Sequence, residues 1–121
     1  MVIQKLSPIP ICEQIVVQMK RDILKGTYRP SERVPSVREI SSELAINPNT
    51  VQRAYAELTK QGYLKISVGN GNFVAPDAAA LLLADATKQL NQMRPIFEDM
   101  RDAGMPRTQI DDLVSTVYAA T

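Results

Sequence analysis

From Ile11, apolar residues recur at Ile15, Val16, Met19 and Ile23, the spacing of one helix face, and Gly26 stands where that helix must end. An extended start ending in Pro8-Ile9-Pro10 precedes it. Tyr28 to Val34 contains Pro30 and runs into Pro35, which predicts a short extended piece. Ser36 with Glu39 three residues on is a capping box, the serine oxygen accepting an N3 amide and the glutamate reaching back to the N-cap amide. A helix therefore starts there, with Val37, Ile40 and Leu44 on its inner face. Ile46 to Pro48 interrupts the pattern. Asn47 can cap a new helix through its side-chain oxygen, and Pro48 suits the first helical position, where no amide partner is lost. This second helix runs to Gly62 with Val51, Ala54, Tyr55 and Leu58 turned inward.

Beyond Gly62 the period changes to two. Leu64, Ile66 and Val68 alternate with Lys65 and Ser67, which predicts a half-buried strand. Gly69-Asn70-Gly71 tolerates positive φ and Phe73-Val74 resumes an extended run, so a hairpin follows. Helix, helix, helix, hairpin is the order of a winged helix. Pro76-Asp77 then marks a boundary, with Asp77 placed to cap a long helix. Ala79, Leu83, Ala86, Leu90, Met93, Phe97 and Met100 alternate spacings of four and three, a heptad-like seam that Leu82 and Ile96 broaden. Pro95 removes an amide donor and predicts a kink or break near Asn91 to Arg94. After Gly104-Met105-Pro106, Ile110, Leu113, Val114, Val117 and Tyr118 form one face of a final helix.

The expected fold is mainly α with a small β-hairpin wing: a winged helix-turn-helix domain over 1–76 and a two-helix C-terminal hairpin over 77–121. Such a hairpin is too thin to enclose a core. Dimerisation through Leu83, Ala86, Leu90, Met93, Phe97, Met100, Leu113 and Val117 would cover it and leave the first domain free.

Composition narrows the chemistry. The chain has one cysteine, Cys12, and no histidine. An internal disulfide, a Cys/His nucleophile pair and a mixed Cys/His zinc site are all excluded, and Cys12 reads as a structural thiol. With no phosphate-cradling motif either, no catalysis, metal or cofactor is expected. The N-terminus lacks a basic segment followed by an apolar core, and no run approaches the ~18 apolar residues of a membrane span, so a cytoplasmic location without a membrane partner is expected. The net charge of +1 conceals a division. Residues 1–76 hold ten Lys or Arg against six Asp or Glu, and residues 77–121 hold four against seven. These counts alone fit ordinary surface variation; joined to the helix-turn-helix order they supply a basic half able to meet a polyanion.

In a helix-turn-helix the second helix enters the major groove and its N-terminal residues face base edges and phosphates. Here those residues are Asn47, Asn49, Thr50, Gln52 and Arg53, with Arg38 approaching from the preceding helix. Ser36 and Thr50 can donate to phosphates, and capping is the primary role of Ser36 and Asn47. The hairpin tip, with Gly69, Asn70 and Gly71, has little side-chain bulk and can lie along the backbone or minor groove. Double-stranded DNA is thus the expected partner. The alternative is a winged helix used as a protein-interaction module, its apolar tail docking another protein.

PSVREISSEL at 35–44, NPNTVQRAYAELTKQGYL at 47–64 and GNGNFV at 69–74 carry a resemblance to the DNA-binding domain of GntR-type bacterial transcription regulators, covering Pro8 to Ala75. The tail, with GMPRTQIDDLV at 104–114, resembles the YtrA-like subfamily, whose two-helix C-terminal region serves dimerisation. The resemblance implies a base-reading role for Arg38, phosphate or base contacts for Ser36, Asn49 and Thr50, and close approach of Gly69 to DNA. It also implies a dimeric repressor at an inverted-repeat operator, with transporter genes among the expected targets. Two departures matter: many members carry arginine at the places of Pro48 and Gln52, so those base contacts do not transfer. Pro106 also stands where the subfamily often has a capping serine. A small-molecule effector around Met93, Phe97 and Met100 is an open alternative to simple packing, though a hairpin of about 45 residues offers little volume beside the ~300 Å³ of a typical pocket.

Overall fold

The computed structural model describes residues 1–120. Helix α1 spans Ile11–Lys25 and turns Ile15, Met19 and Ile23 inward, where all three are buried. It stops at Gly26, whose positive φ of 79° lets the amide return to the last carbonyls. Ahead of α1 the N-terminal arm lies along the helix, because Gln14 and Gln18 bond the backbone of Gln4 and Val2. Helix α2 spans Val37–Leu44, with Ser36 Oγ accepting from the Glu39 amide at 3.0 Å. Helix α3 spans Pro48–Lys60, with Asn47 Oδ1 accepting from the Asn49 amide at 2.8 Å. Both predicted helix starts are therefore present, capped by Ser36 Oγ and Asn47 Oδ1, but the expected return bond from the Glu39 carboxylate to the Ser36 amide is not formed among the described residues.

The turn between α2 and α3 is carried by an alanine. Ala45 has φ 53°, a left-handed conformation that costs an L-residue roughly 1–2 kcal/mol. Its amide bonds back to Ser41 and its carbonyl accepts from Lys5 Nζ of the N-terminal arm at 3.1 Å. These contacts hold it there.

The core gathers α1, α2 and α3. Val51, Ala54, Tyr55 and Leu58 are buried among the α1 stripe, Ile40, Val34, Tyr63, Leu64 and Val74. Val37 and Leu44 sit half-buried at the margin. Inside this apolar setting the Tyr55 hydroxyl donates to the Pro35 carbonyl at 2.6 Å, tying the middle of α3 to the entrance of α2.

Strands β1, Leu64–Ser67, and β2, Gly71–Val74, form the antiparallel wing, pairing Leu64 with Val74 and Ser67 with Gly71. The extended piece before α2 joins them: Arg33 bridges to Phe73, the Val34 amide bonds Asn72 O at 3.0 Å, and the Val74 amide bonds Glu32 O at 2.8 Å. The expectation of a half-buried strand over Leu64, Ile66 and Val68 needs correction. Leu64 is buried, but Ile66 is 60% and Val68 94% exposed. The strand runs past the end of the core that receives Leu64 and Val74, so its further apolar positions have nothing beneath them.

Three more helices follow: α4 Ala78–Gln92, α5 Arg94–Asp102 and α6 Arg107–Ala119. Pro95 divides α4 from α5 at Met93, as the missing amide predicts. α6 starts at Arg107 after Pro106, without a side-chain cap. The chain forms two compact units, Met1–Ala84 and the part from Asp85 onward. The start of α4 belongs to the first unit, which it enters through buried Ala78 and Leu82, leaving Ala79 and Leu83 exposed. In the second unit no described residue is buried. Phe97, Met100, Met105 and Ile110 are half-buried around a groove of about 380 Å³, which Met93, Gln109, Leu113 and Val114 also line.

Burial, with smaller contributions from Tyr28 and Glu39, pushes the Tyr55 phenol well above its ordinary value of 10.0. A folded pKa raised above the unfolded one gives stability that is complete below about pH 10 and declines as pH rises past it. Tyr55→Phe is expected to cost about 1–2 kcal/mol near neutral pH, because the Pro35 carbonyl loses its donor. The variant should also lose less stability than the parent on going above pH 10. Urea melts at the two pH values measure both, and equal alkaline losses would contradict the assignment.

Candidate nucleic-acid interface

One face of α3 is committed to the core, and this fixes what the other face presents. With Val51, Ala54, Tyr55 and Leu58 inward, Asn49, Gln52 and Arg53 are exposed and Thr50 is half-buried. Arg38, the second residue of α2, is exposed as well. No carboxylate lies between Glu43 and Glu57, so this part of the surface offers an anion donors without opposing charge.

The caps leave hydrogens available. Ser36 Oγ is used as an acceptor, so its hydroxyl hydrogen is not consumed by the cap. Asn47 likewise bonds the α3 amide through Oδ1, which leaves its NH₂ group pointing from the helix start with two donors. Both residues can thus cap and donate together, beside the free amides and positive dipole end of α3.

Among the described residues the ion pairs are Arg101 with Asp102 at 3.0 Å and Arg107 with Asp111 at 3.5 Å, both in the second unit. Among the described residues neither Arg38 nor Arg53 has a carboxylate partner. At the wing, Gly69 has φ 80° and Gly71 φ 111°, and the Asn70 amide closes the loop on Ser67 O at 2.9 Å. Asn70 Nδ2 also bonds Ser67 Oγ at 3.2 Å. A Cβ on Gly71 would lie 3.0 Å from Arg33 Nε, so the Arg33 side chain runs along the wing to its tip. Sequence reasoning did not single out Arg33 or Lys65. A lone cation in a proline-bounded segment carries no periodic signal, and its place on the wing depends on a long-range bridge.

Of the residues expected at a dimer seam, Leu83, Ala86, Leu90, Met93, Leu113 and Val117 are exposed. Phe97 and Met100 are half-buried, and both line the groove together with Met93 and Leu113. Among the described residues no cluster of His, Cys, Asp or Glu could hold a metal, and no helix is long and apolar enough to cross a membrane.

The family model described as bacterial regulatory proteins, gntR family, matches residues 11–74. The HTH-type transcriptional repressor YtrA of Bacillus subtilis is 32% identical over 114 residues, 93% of this chain and 88% of that protein. Among solved structures, a GntR family transcriptional regulator from Listeria monocytogenes superposes with a TM-score of 0.73 at 32% identity, covering 91% of this chain and 96% of its own. The DNA-binding domain of AraR in complex with an operator superposes with a TM-score of 0.56 at 26% identity, over 62% of this chain and 93% of its own.

The two roles of Asn47 separate by substitution. Asn47→Ala removes the cap and is expected to cost ~1 kcal/mol of stability, whereas Asn47→Asp keeps the acceptor and should stay within a few tenths of the parent. Urea denaturation compares them; equal losses would mean that Oδ1 does not cap α3.

Proposed function

The chain belongs to the GntR family of bacterial transcription regulators, and from that footing we propose that it is a dimeric repressor binding an inverted-repeat operator. The observation that carries this reading is the outer face of the helix pair: Arg38 and Arg53 are exposed and without an ion pair among the described residues, with Asn49 and Gln52 beside Arg53 on α3 and no carboxylate on α3 before Glu57. α3 lies in the major groove, with Asn49, Gln52 and Arg53 toward base edges and Arg38 reaching the same groove from α2. Ser36, Asn47 and Thr50 donate to phosphates at the helix starts, and Gly69, Asn70 and Gly71 bring the wing backbone close to the duplex. Where many relatives use arginine, Pro48 and Gln52 offer none, so the operator differs from those read by arginine-rich members.

One such unit binds DNA nonspecifically with dissociation constants of ~10⁻⁴ to 10⁻⁶ M. Joining two raises the effective concentration of the second to ~mM, which is how modest contacts become an operator complex. The second unit supplies the joint. None of its described residues is fully buried, and exposed Leu90, Met93, Leu113 and Val117 need a cover that a second copy provides. A dimer seated on a promoter excludes polymerase without further apparatus, in keeping with the repressor name of the Bacillus subtilis relative. Transporter genes are the targets suggested by the YtrA-like character of the tail, and footprinting upstream of the chain's own gene examines that.

Two outcomes are expected. Arg38→Ala should weaken operator binding by ~1–3 kcal/mol and relax the preference between operator and mismatched duplexes, as seen in titrations at fixed salt. An unchanged titration would remove Arg38 from the reading set. Leu90→Asp, which puts a charge into the seam, should give monomers by light scattering and weaken operator binding at least about tenfold through loss of the second unit. A variant that remains dimeric would place the joint elsewhere.

A further inference from the structure

The wing tip from Val68 to Asn70 carries no charge, and Lys65 is the one charged residue from Leu64 to Pro76. Directly paired residues in a ladder share a face, and so do residues two apart along a strand. Phe73 pairs with Lys65 on one side and bridges to Arg33 on the other, so Arg33, Phe73 and Lys65 form a row across one face of the wing. Gly71 and Ser67 continue that face to the tip.

Arg33 and Lys65 are both exposed, and neither is ion-paired among the described residues. The acidic neighbour of Arg33 is occupied elsewhere, because Glu32 Oε2 accepts from the Arg29 amide at 2.6 Å. Gly71 completes the arrangement. Its missing side chain is the space in which the Arg33 guanidinium lies, since a Cβ there would come within 3.0 Å of Nε, and its φ of 111° admits glycine alone with ease.

We propose that Arg33, with Lys65 across Phe73, forms a phosphate clamp on the face of the wing, gripping the DNA backbone beside the groove that the uncharged tip approaches. The proposal rests on the DNA-binding reading above and adds residues to it. Its logic is electrostatic: the tip is small enough to come near the duplex, but a loop of Val, Gly and Asn gains nothing from phosphate charge. The cations are supplied from the strand behind it and from the segment between α1 and α2.

The test uses the full chain and two duplexes, one selected from a random pool by the parent protein and a scrambled version of it. Dissociation constants are measured across a salt series for the parent, Arg33→Ala, Arg33→Lys and Lys65→Ala, with thermal midpoints recorded alongside. Each lost phosphate contact lowers the slope of log K against log salt by about 0.9. The advantage of the parent over Arg33→Ala should therefore shrink about 3.5-fold between 50 and 200 mM salt, and to the same extent on both duplexes. Arg33→Lys should keep the parental slope, and Lys65→Ala should lose a slope increment of its own. A parental slope in Arg33→Ala would overturn the clamp while leaving the DNA reading intact. So would a loss that lysine does not restore and that follows the thermal midpoint, because Arg33 would then only hold the wing in place. If the parent selects no duplex and binds without salt dependence, the DNA reading itself fails.

Discussion

The hydrogen bond from Tyr55 to the Pro35 carbonyl joins the two elements on which the rest depends. α3 has to be buried along one face and bare along the other, and its position relative to α2 decides which donors share one surface. The phenol provides that link from within the core. Its partner is the carbonyl immediately before the Ser36 cap, so Arg38, two residues further on, is registered against Gln52 and Arg53 by contacts that involve none of their side chains. A buried carbonyl deprived of its donor costs about 1–3 kcal/mol, so slippage of the two helices is opposed without drawing on the exposed residues. Their hydrogen-bonding capacity stays available for a ligand.

Much of this was legible in the sequence wherever a local rule acts on neighbouring residues. Ser36 and Asn47 cap because a side-chain oxygen one or two bonds from Cβ reaches amides two or three residues on, and Pro95 breaks a helix because it has no amide hydrogen to give. These effects need no knowledge of the rest of the chain. The α3 core face was equally plain, since Val51, Ala54, Tyr55 and Leu58 repeat at the helix period. The exposure of Ile66 and Val68 was not: alternation identifies a strand face but does not say how far the core beneath it extends. Ala45 carried no sign of a left-handed turn, because the contact from Lys5 that supports it spans forty residues. Arg33 was illegible for the same reason, its meaning arising from a bridge to Phe73.

The charge division between the two parts of the chain acquires a physical sense from their burial. The first unit encloses a core and can present a basic surface without needing that surface for cohesion. The second has its apolar residues on the outside and its ion pairs in solvent, where such pairs contribute at most about 1 kcal/mol each. A cover over its apolar residues, as in the proposed dimer, would stabilise it through area removed from water, at roughly 25 cal/mol per Å². Its acidic balance gives this part no attraction for a polyanion, which fits the proposed division between a surface for cohesion and one for recognition.

The absence of a cation at Pro48 and Gln52 then bears on how affinity and specificity would be apportioned in the proposed DNA complex. A bidentate base contact discriminates sequences by about 1–3 kcal/mol, while a phosphate contact strengthens binding to every sequence alike. Proline at the first position of α3 preorganises the helix start but contributes no donor. Cations proposed to meet DNA lie around α3 as well as on it, with Arg38 on α2, Lys65 on the wing and Arg33 bridged to the wing. On α3, Arg53 lies beside the amide side chains of Asn49 and Gln52, and Lys60 stands in the last turn. On the proposed reading, affinity leans on phosphate contacts at the edges, and discrimination leans on Arg38 and Arg53 together with the amide side chains of Asn49 and Gln52. In the proposed dimer, pairing two units on a symmetric site would compensate, because each mismatch would be weighed in a complex held by both copies.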